Sequence, residues 1–288
     1  MDIYMIMTEG YTDCALAEAI LEKYMGYCQY RTKGDMPGCL QKLVGVYPGE
    51  LGELVPKDMP HFYYKGENAV MVKTAKGFSE IAKKLGLVMD AVLSAGDDAS
   101  VEKGVFIICD ADLSSKVSNC QKIEDDLEDI DGMELDRKKG SISYEGLYLC
   151  YKIHQIPQTD EGAVEKLLLQ MLGQIEPELA ECAGNYRSRI MDERFDRLHT
   201  SWAKDRKVQE FYADKVQLGA ALAVLKPDRP VGYAIKDCVV VKAKKQELMK
   251  IEEFESLYRR LEEWLGEKAG SSHEEDGQSI AGTGLCKS

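Results

Sequence analysis

Asp110 and Asp112, separated by a single alanine, close the stretch Val105-Phe106-Ile107-Ile108-Cys109-Asp110-Ala111-Asp112-Leu113-Ser114-Ser115. Two carboxylates this close repel each other, and a cation between them removes that cost. Oxygen-only ligands suit Mg²⁺ or Mn²⁺. The five apolar residues in front of the pair, bounded by Lys103-Gly104, read as a strand buried on both faces of a parallel sheet. If extended backbone continues through the aspartates, both project to one side and Ala111 to the other. Ligand sites in open α/β sheets lie outside the carboxyl ends of the strands. A pair of aspartates facing water at a strand-to-helix turn fits the same pattern, and on these residues alone both readings stand.

Three more acids fall at equivalent places along the chain. Ile3 to Gly10 reads as a strand ending on Glu9 and Gly10, and Asp13 follows four residues later. Glu165 lies in the first turn of the helix expected over Ala163 to Leu172. The helix dipole favours acids at helix starts with or without a metal, which by itself accounts for Asp13 and Glu165. His61, His154 and His199 are scattered and read as core or surface residues.

Alternating strands and helices must position these acids. Thr12 is the expected N-cap of a helix over Ala15 to Tyr24. Residues 25–68 form an irregular insertion with no assignable elements, and Ala69 to Thr74 is a short strand. Ile81, Leu85, Val88, Met89 and Val92 make one helical face, and an acid-rich helix is expected from Lys116 to Asp129. Gly146 to Ile156 is the next strand, stopped by Pro157. This alternation indicates a doubly wound α/β unit over residues 1–174. From 175 to 265 the chain is charged and mainly helical, with a strand-like Val239-Val240-Val241 and an amphipathic helix from Leu248 to Leu265. Gly, Ser and Glu dominate 266–288, which reads as a disordered tail.

Composition narrows the function classes. The net charge of −13 argues against a protein that coats nucleic acid through bulk electrostatics. A local basic track is compatible with it, and Arg187, Arg189, Arg194 and Arg197 are the candidates, although a surface ion-pair network fits those residues equally. No apolar run approaches the roughly 20 residues needed to cross a bilayer, and Met1-Asp2-Ile3-Tyr4 lacks the basic start of a signal peptide. Nine cysteines without a C-x-x-C pair point to free thiols and a reducing cytoplasm. There is no G-x-x-x-x-G-K-[ST] for a P-loop.

The segment Met7-Thr8-Glu9-Gly10-Tyr11-Thr12-Asp13 resembles the (V)EG-x-(T)D motif of Toprim domains, and Asp110-Ala111-Asp112 resembles their D-x-D. The flavour is that of the overcoming-lysogenization-defect nucleases and of stand-alone Toprim-like proteins. In those, a further acid lies in a leucine-rich helix, as in Glu165-Lys166-Leu167-Leu168-Leu169, and a lysine lies further on, for which Lys215 is the best match. The resemblance implies a Toprim-like α/β fold, a mostly parallel sheet flanked by helices, with a C-terminal helical subdomain. It implies Mg²⁺- or Mn²⁺-dependent phosphodiester cleavage of DNA or RNA. Glu9, Asp13, Asp110, Asp112 and Glu165 would hold metal, with Gly10 and Ser114 in support. Glu9 would alternatively act as a general base, and Lys215 would neutralise the phosphate or leaving oxygen. The ATPase half of those nucleases is missing, which implies a partner ATPase or another protein partner, and the oligomeric state stays open. Two alternatives remain: a phosphohydrolase of the haloacid-dehalogenase type, whose aspartyl motif D-x-D-x-S resembles, and a non-catalytic Toprim-like binding module.

Overall fold

The computed structural model describes residues 2–44, 47–51, 53, 55, 59–95, 104–112, 116–158, 161–190, 206–228, 231–240 and 242–266. Strand β1 (Asp2–Thr8) leads into helix α1 (Tyr11–Tyr24), then the short β2 (Cys28–Gln29) and α2 (Gly38–Leu43). β3 (His61–Lys65) and β4 (Asn68–Thr74) follow, then α3 (Ile81–Ala95), β5 (Gly104–Asp110) and α4 (Lys116–Glu128). β6 (Met133–Asp136), β7 (Ser141–Tyr144) and β8 (Leu147–Ile156) precede α5 (Val164–Ile175), α6 (Pro177–Ile190) and α7 (Arg206–Leu225). The chain continues through α8 (Val231–Ala234), a π-helical segment (Ile235–Val240), α9 (Lys245–Leu248) and α10 (Glu252–Trp264).

The strands form one sheet in the order β2-β3-β4-β1-β5-β8-β7-β6. Its centre, β4-β1-β5-β8, is parallel, as the unbroken apolar run of β5 led us to expect, because such runs need cover on both faces. Both edges are antiparallel. The reason lies in short turns: Glu145 (φ 46°) and Gly146 (φ 87°) are both left-handed, the conformation of a tight hairpin whose twist matches its strands.

Side-chain alternation splits the core into two layers. Tyr4 and Ile6 of β1 and Phe106 and Ile108 of β5 face α1, α5 and the C-terminal helices. Ile3, Met5 and Met7, with Val105, Ile107 and Cys109, face α3, α4 and the insertion. Gly104 opens β5 with φ 110°, and a side chain there would overlap the backbone of Cys150 on β8, so glycine is required where these two strands approach.

Several sequence expectations need correction. The N-cap of α1 is Gly10 rather than Thr12, and the helix begins at Tyr11. Residues 25–68, unassigned from sequence, contain β2, α2 and β3. Val239 and Val240 are helical and fully buried rather than in a strand, so packing against α1 and α5 overrides β-branched propensity; Val241 lies outside the described residues. The expected helix Leu248–Leu265 is broken, and Ile251 is the extended N-cap of α10. The tail from 267 onward, Ser114, Arg194 and Arg197 all lie outside the described residues. No helix among the described residues is long and apolar enough to cross a membrane.

Candidate metal centre

β1 and β5 are neighbours in the sheet, yet the chain leaves β1 towards β4 on one side and reaches β5 on the other. That reversal is a topological switch point, where the loops diverge and leave a crevice at the strands' carboxyl ends. The register pairs Thr8 with Ile108, so Glu9, one residue beyond Thr8, and Asp110, two beyond Ile108, emerge at this crevice.

Backbone hydrogen bonds hold both in place. Glu9 N–H donates to the Ile108 carbonyl (2.9 Å) and extends the ladder, while Asp110 N–H donates to Glu9 Oε2 (3.0 Å). Asp110 Oδ1 accepts the N–H of Val164 (2.8 Å), the first residue of α5, so the carboxylate caps that helix from across the crevice. Asn119 of α4 donates to the carbonyls of Asp110 and Ala111 (3.0 Å each) and fixes the strand's exit.

Asp112 reaches the crevice by a different route from the one alternation suggests. The strand stops at Asp110, and Asp112 sits in the left-handed region at φ 51°. Its carbonyl accepts the N–H of Gly162 (2.6 Å), an isolated bridge that ties the loop before α5 to the end of β5. Aspartate tolerates this conformation better than most residues, and such strain persists only where the surroundings over-determine it. The outcome is that Glu9, Asp110 and Asp112 each place a carboxylate oxygen within 4.8 Å of the others, a spacing that one divalent cation can span.

Asp13 and Glu165 lie close enough to this triad for their charges to act on Glu9 and Asp110. Asp13 Oδ2 accepts the N–H of Gly10 (2.9 Å), half of a capping box. Helix capping thus explains one oxygen of Asp13 but not the other. Asp13 Oδ1 and Glu165 Oε2 are buried and make no hydrogen bond among the described residues. A buried carboxylate oxygen without a donor is costly, which a structural role for these acids leaves unexplained.

The electrostatics follow from this crowding. Burial, and then the charges of Asp112 and Glu165, raise Glu9 to about 6 against the pull of the Asp110 N–H. Burial and the charges of Glu9 and Glu165 raise Asp13 to about 8. Asp110 is pushed well above the usual carboxylate range by burial and by Asp13, Glu9 and Glu165. Burial also raises Asp112 and Glu165. Lys215 on α7 is the cation of the group. Burial works against its ammonium, but Glu165, Asp110, Asp112 and Glu9 outweigh it and hold its pKa above normal. Taken as carboxyls alone, the cluster carries protons at neutral pH, and a divalent cation is what would displace them.

Of the arginines suggested for nucleic acid, Arg187 is committed to an ion pair with Asp214 of α7 (2.9 Å), and Arg189 is exposed on α6. The two are therefore not equivalent, and Arg187 serves to dock α6 on the helix that carries Lys215.

A family model described as "Protein of unknown function (DUF3226)" matches residues 3–267. The chain belongs to the DUF3226 family. That match runs from β1 through α10 and includes every residue of the crevice. No curated protein matches the chain. The crystal structure of a hypothetical protein from Pyrococcus horikoshii OT3 is similar over 91% of this chain and 99% of that one, at 18% identity and a TM-score of 0.47.

Proposed function

We propose that this DUF3226 chain is a Mg²⁺- or Mn²⁺-dependent phosphodiesterase of Toprim type that cleaves nucleic acid. The single observation that supports it most is the convergence of Glu9, Asp110 and Asp112 at the switch point. The oxygens of Asp13 and Glu165 that have no donor among the described residues add candidate ligands near that triad.

In this reading Glu9, Asp110 and Asp112 hold one divalent cation, and Asp13 with Glu165 extends the ligand set. The bound cation supplies Lewis-acid stabilisation of the phosphate and acidifies a coordinated water. The alternative role for Glu9 is general base rather than ligand, for which its metal-free carboxyl, raised to about 6, has a pKa suited to work near neutrality. Lys215 carries a positive charge held by four carboxylates and neutralises charge on the departing oxygen. Asp110 positions α5 as well as the cation, since its Oδ1 takes the Val164 N–H. Exposed Arg189 contributes to a backbone track on α6. Seven described cysteines are free thiols, which supports a reducing, cytoplasmic setting.

The test is direct. Purified protein with Mn²⁺ should nick supercoiled plasmid or degrade single-stranded DNA or RNA, and a chelator should stop it. Folded, Mn²⁺-loaded protein that leaves all three substrates intact would remove the assignment.

A further inference from the structure

A second built site lies on the other side of α1. Tyr11, Cys14, Ala15, Glu18 and Glu22 recur at helical spacing and line a cavity of about 390 Å³ closed by β2, β3 and the π-helical segment. That volume lies within the roughly 300–1,000 Å³ of small-molecule sites. Its floor is a charged group with little access to water. Glu18 is 6% exposed and lies 2.5 Å from His61 Nδ1, and Lys236 bridges Glu18 Oε2 (3.7 Å) and Glu22 Oε1 (2.8 Å). Burial works against charge on Glu18, but His61 and Lys236 outweigh it and hold its carboxyl below the usual value. His61 Nδ1 makes an ion-pair contact with Glu18, and neither of its buried ring nitrogens makes a hydrogen bond among the described residues, which leaves Nε2 available to a ligand. The crevice chemistry described above uses none of these groups.

The lining selects a class of ligand. Four acids, Glu18, Glu22, Glu53 and Asp237, face two permanent cations, Lys236 and Arg31, so the cavity disfavours a phosphate and favours a neutral group rich in N–H donors. Exposed Tyr11 stands at the start of α1, two residues before Asp13 of the metal centre, and offers a face on which a planar ring can stack. Glu18 lies two turns along, roughly 10 Å from Tyr11 at the rise of an α-helix, so the two mark the floor and the mouth of the cavity.

We propose that this cavity is a base-binding subsite that takes the amino-bearing base of a nucleotide unit of the substrate. The proposal rests on the nuclease reading and specifies its substrate. His61 Nε2 meets a polar atom on the base edge, Gln29 and Arg31 border the ring, and Tyr11 stacks at the mouth.

The experiment titrates metal-free, full-length protein with adenosine, cytidine, guanosine, uridine and ribose 5-phosphate by calorimetry. An amino-bearing nucleoside should bind with a Kd below about 1 mM. Uridine should bind more weakly and ribose 5-phosphate not at all. His61→Ala should weaken binding roughly tenfold, the size of one lost hydrogen bond in a buried site. Gln29→Trp, which fills the cavity from its edge, should abolish binding while far-UV circular dichroism and Mn²⁺ binding stay intact. Displacement of the nucleoside by a short single-stranded oligonucleotide would identify a polymer as the source of the base, and displacement by the 5′-monophosphate alone a free nucleotide. No nucleoside binding, or binding that both folded variants retain, overturns the subsite. Mn²⁺-dependent cleavage without nucleoside binding removes the subsite and leaves the nuclease reading standing. Nucleoside binding without cleavage keeps the cavity assignment and removes the nuclease.

Discussion

Asp110→Asn is expected to lower metal-dependent cleavage by at least about a thousandfold and, in the same protein, to raise the stability of the metal-free fold. The substitution is nearly isosteric. The amide oxygen keeps the 2.8 Å bond from the Val164 N–H, so the cap on α5 survives. What disappears is a charge that burial opposes first and Asp13, Glu9 and Glu165 oppose next. The new amide N–H₂ faces acceptors instead of like charges. Relief of this kind is worth on the order of 2 kcal/mol, hence roughly 5 °C in melting temperature for a chain of this size. The cost is that a neutral amide cannot replace an anionic oxygen ligand for Mg²⁺ or Mn²⁺. Thermal melts near pH 8, where Asp13 titrates, beside a plasmid-nicking assay measure both halves. Cleavage at the native rate would show that Asp110 holds no catalytic metal.

The second large effect is the pH dependence of metal stabilisation. Glu9 titrates at about 6 instead of 4.5, and Asp13 at about 8 instead of 3.8. Folded-state values above the unfolded ones mean that the fold favours the protonated acids. Their contribution to stability is complete below about pH 4 and is lost as pH rises through 6 and then 8. The metal-free protein should therefore melt at progressively lower temperature across that window. A divalent cation takes the deprotonated form and must displace those protons, so it competes poorly near pH 6 and well near pH 8. Mn²⁺ at about a hundred times its Kd contributes close to 3 kcal/mol, roughly 5–10 °C. Differential scanning fluorimetry should show that rise near the titration of Asp13 and little of it near that of Glu9. Calorimetry in buffers of different ionisation enthalpy should show proton release on binding. An increment that shrinks as pH rises would contradict the carboxyl assignment.

Much of the α/β architecture was legible because it follows from periodicity. The unbroken apolar run of β5 required a strand covered on both faces, and the face Ile81, Leu85, Val88, Met89 and Val92 of α3 is buried as its spacing implies. The antiparallel edges were not legible. β2 has two residues and β6 and β7 four each, too short for alternation to register, and the β7–β8 hairpin turns on Glu145-Gly146 without an Asn-Gly or Asp-Gly signal. Valines at 239 and 240 pointed to a strand because local propensity carries no information about the helices that pack around them.

At the crevice, sequence spacing could propose the five acids but could not distinguish capping from ligation. The distinction is in single atoms: Asp13 Oδ2 caps Gly10, while Asp13 Oδ1 has no donor among the described residues. Asp112 reaches the crevice for a reason that no alternation rule contains, a left-handed residue pinned by Gly162. His61 read as a scattered core or surface residue. Only the fold brings β3 against α1, and with it the Glu18–His61 pair that floors the second cavity.

Anomalous diffraction from a crystal soaked in Mn²⁺ tests the central claim most directly. The account expects one Mn²⁺ bonded at about 2.0–2.4 Å to oxygens of Glu9, Asp110 and Asp112. A crystal in which Mn²⁺ binds only elsewhere, with Glu9 turned away from the Asp110–Asp112 pair, would contradict it.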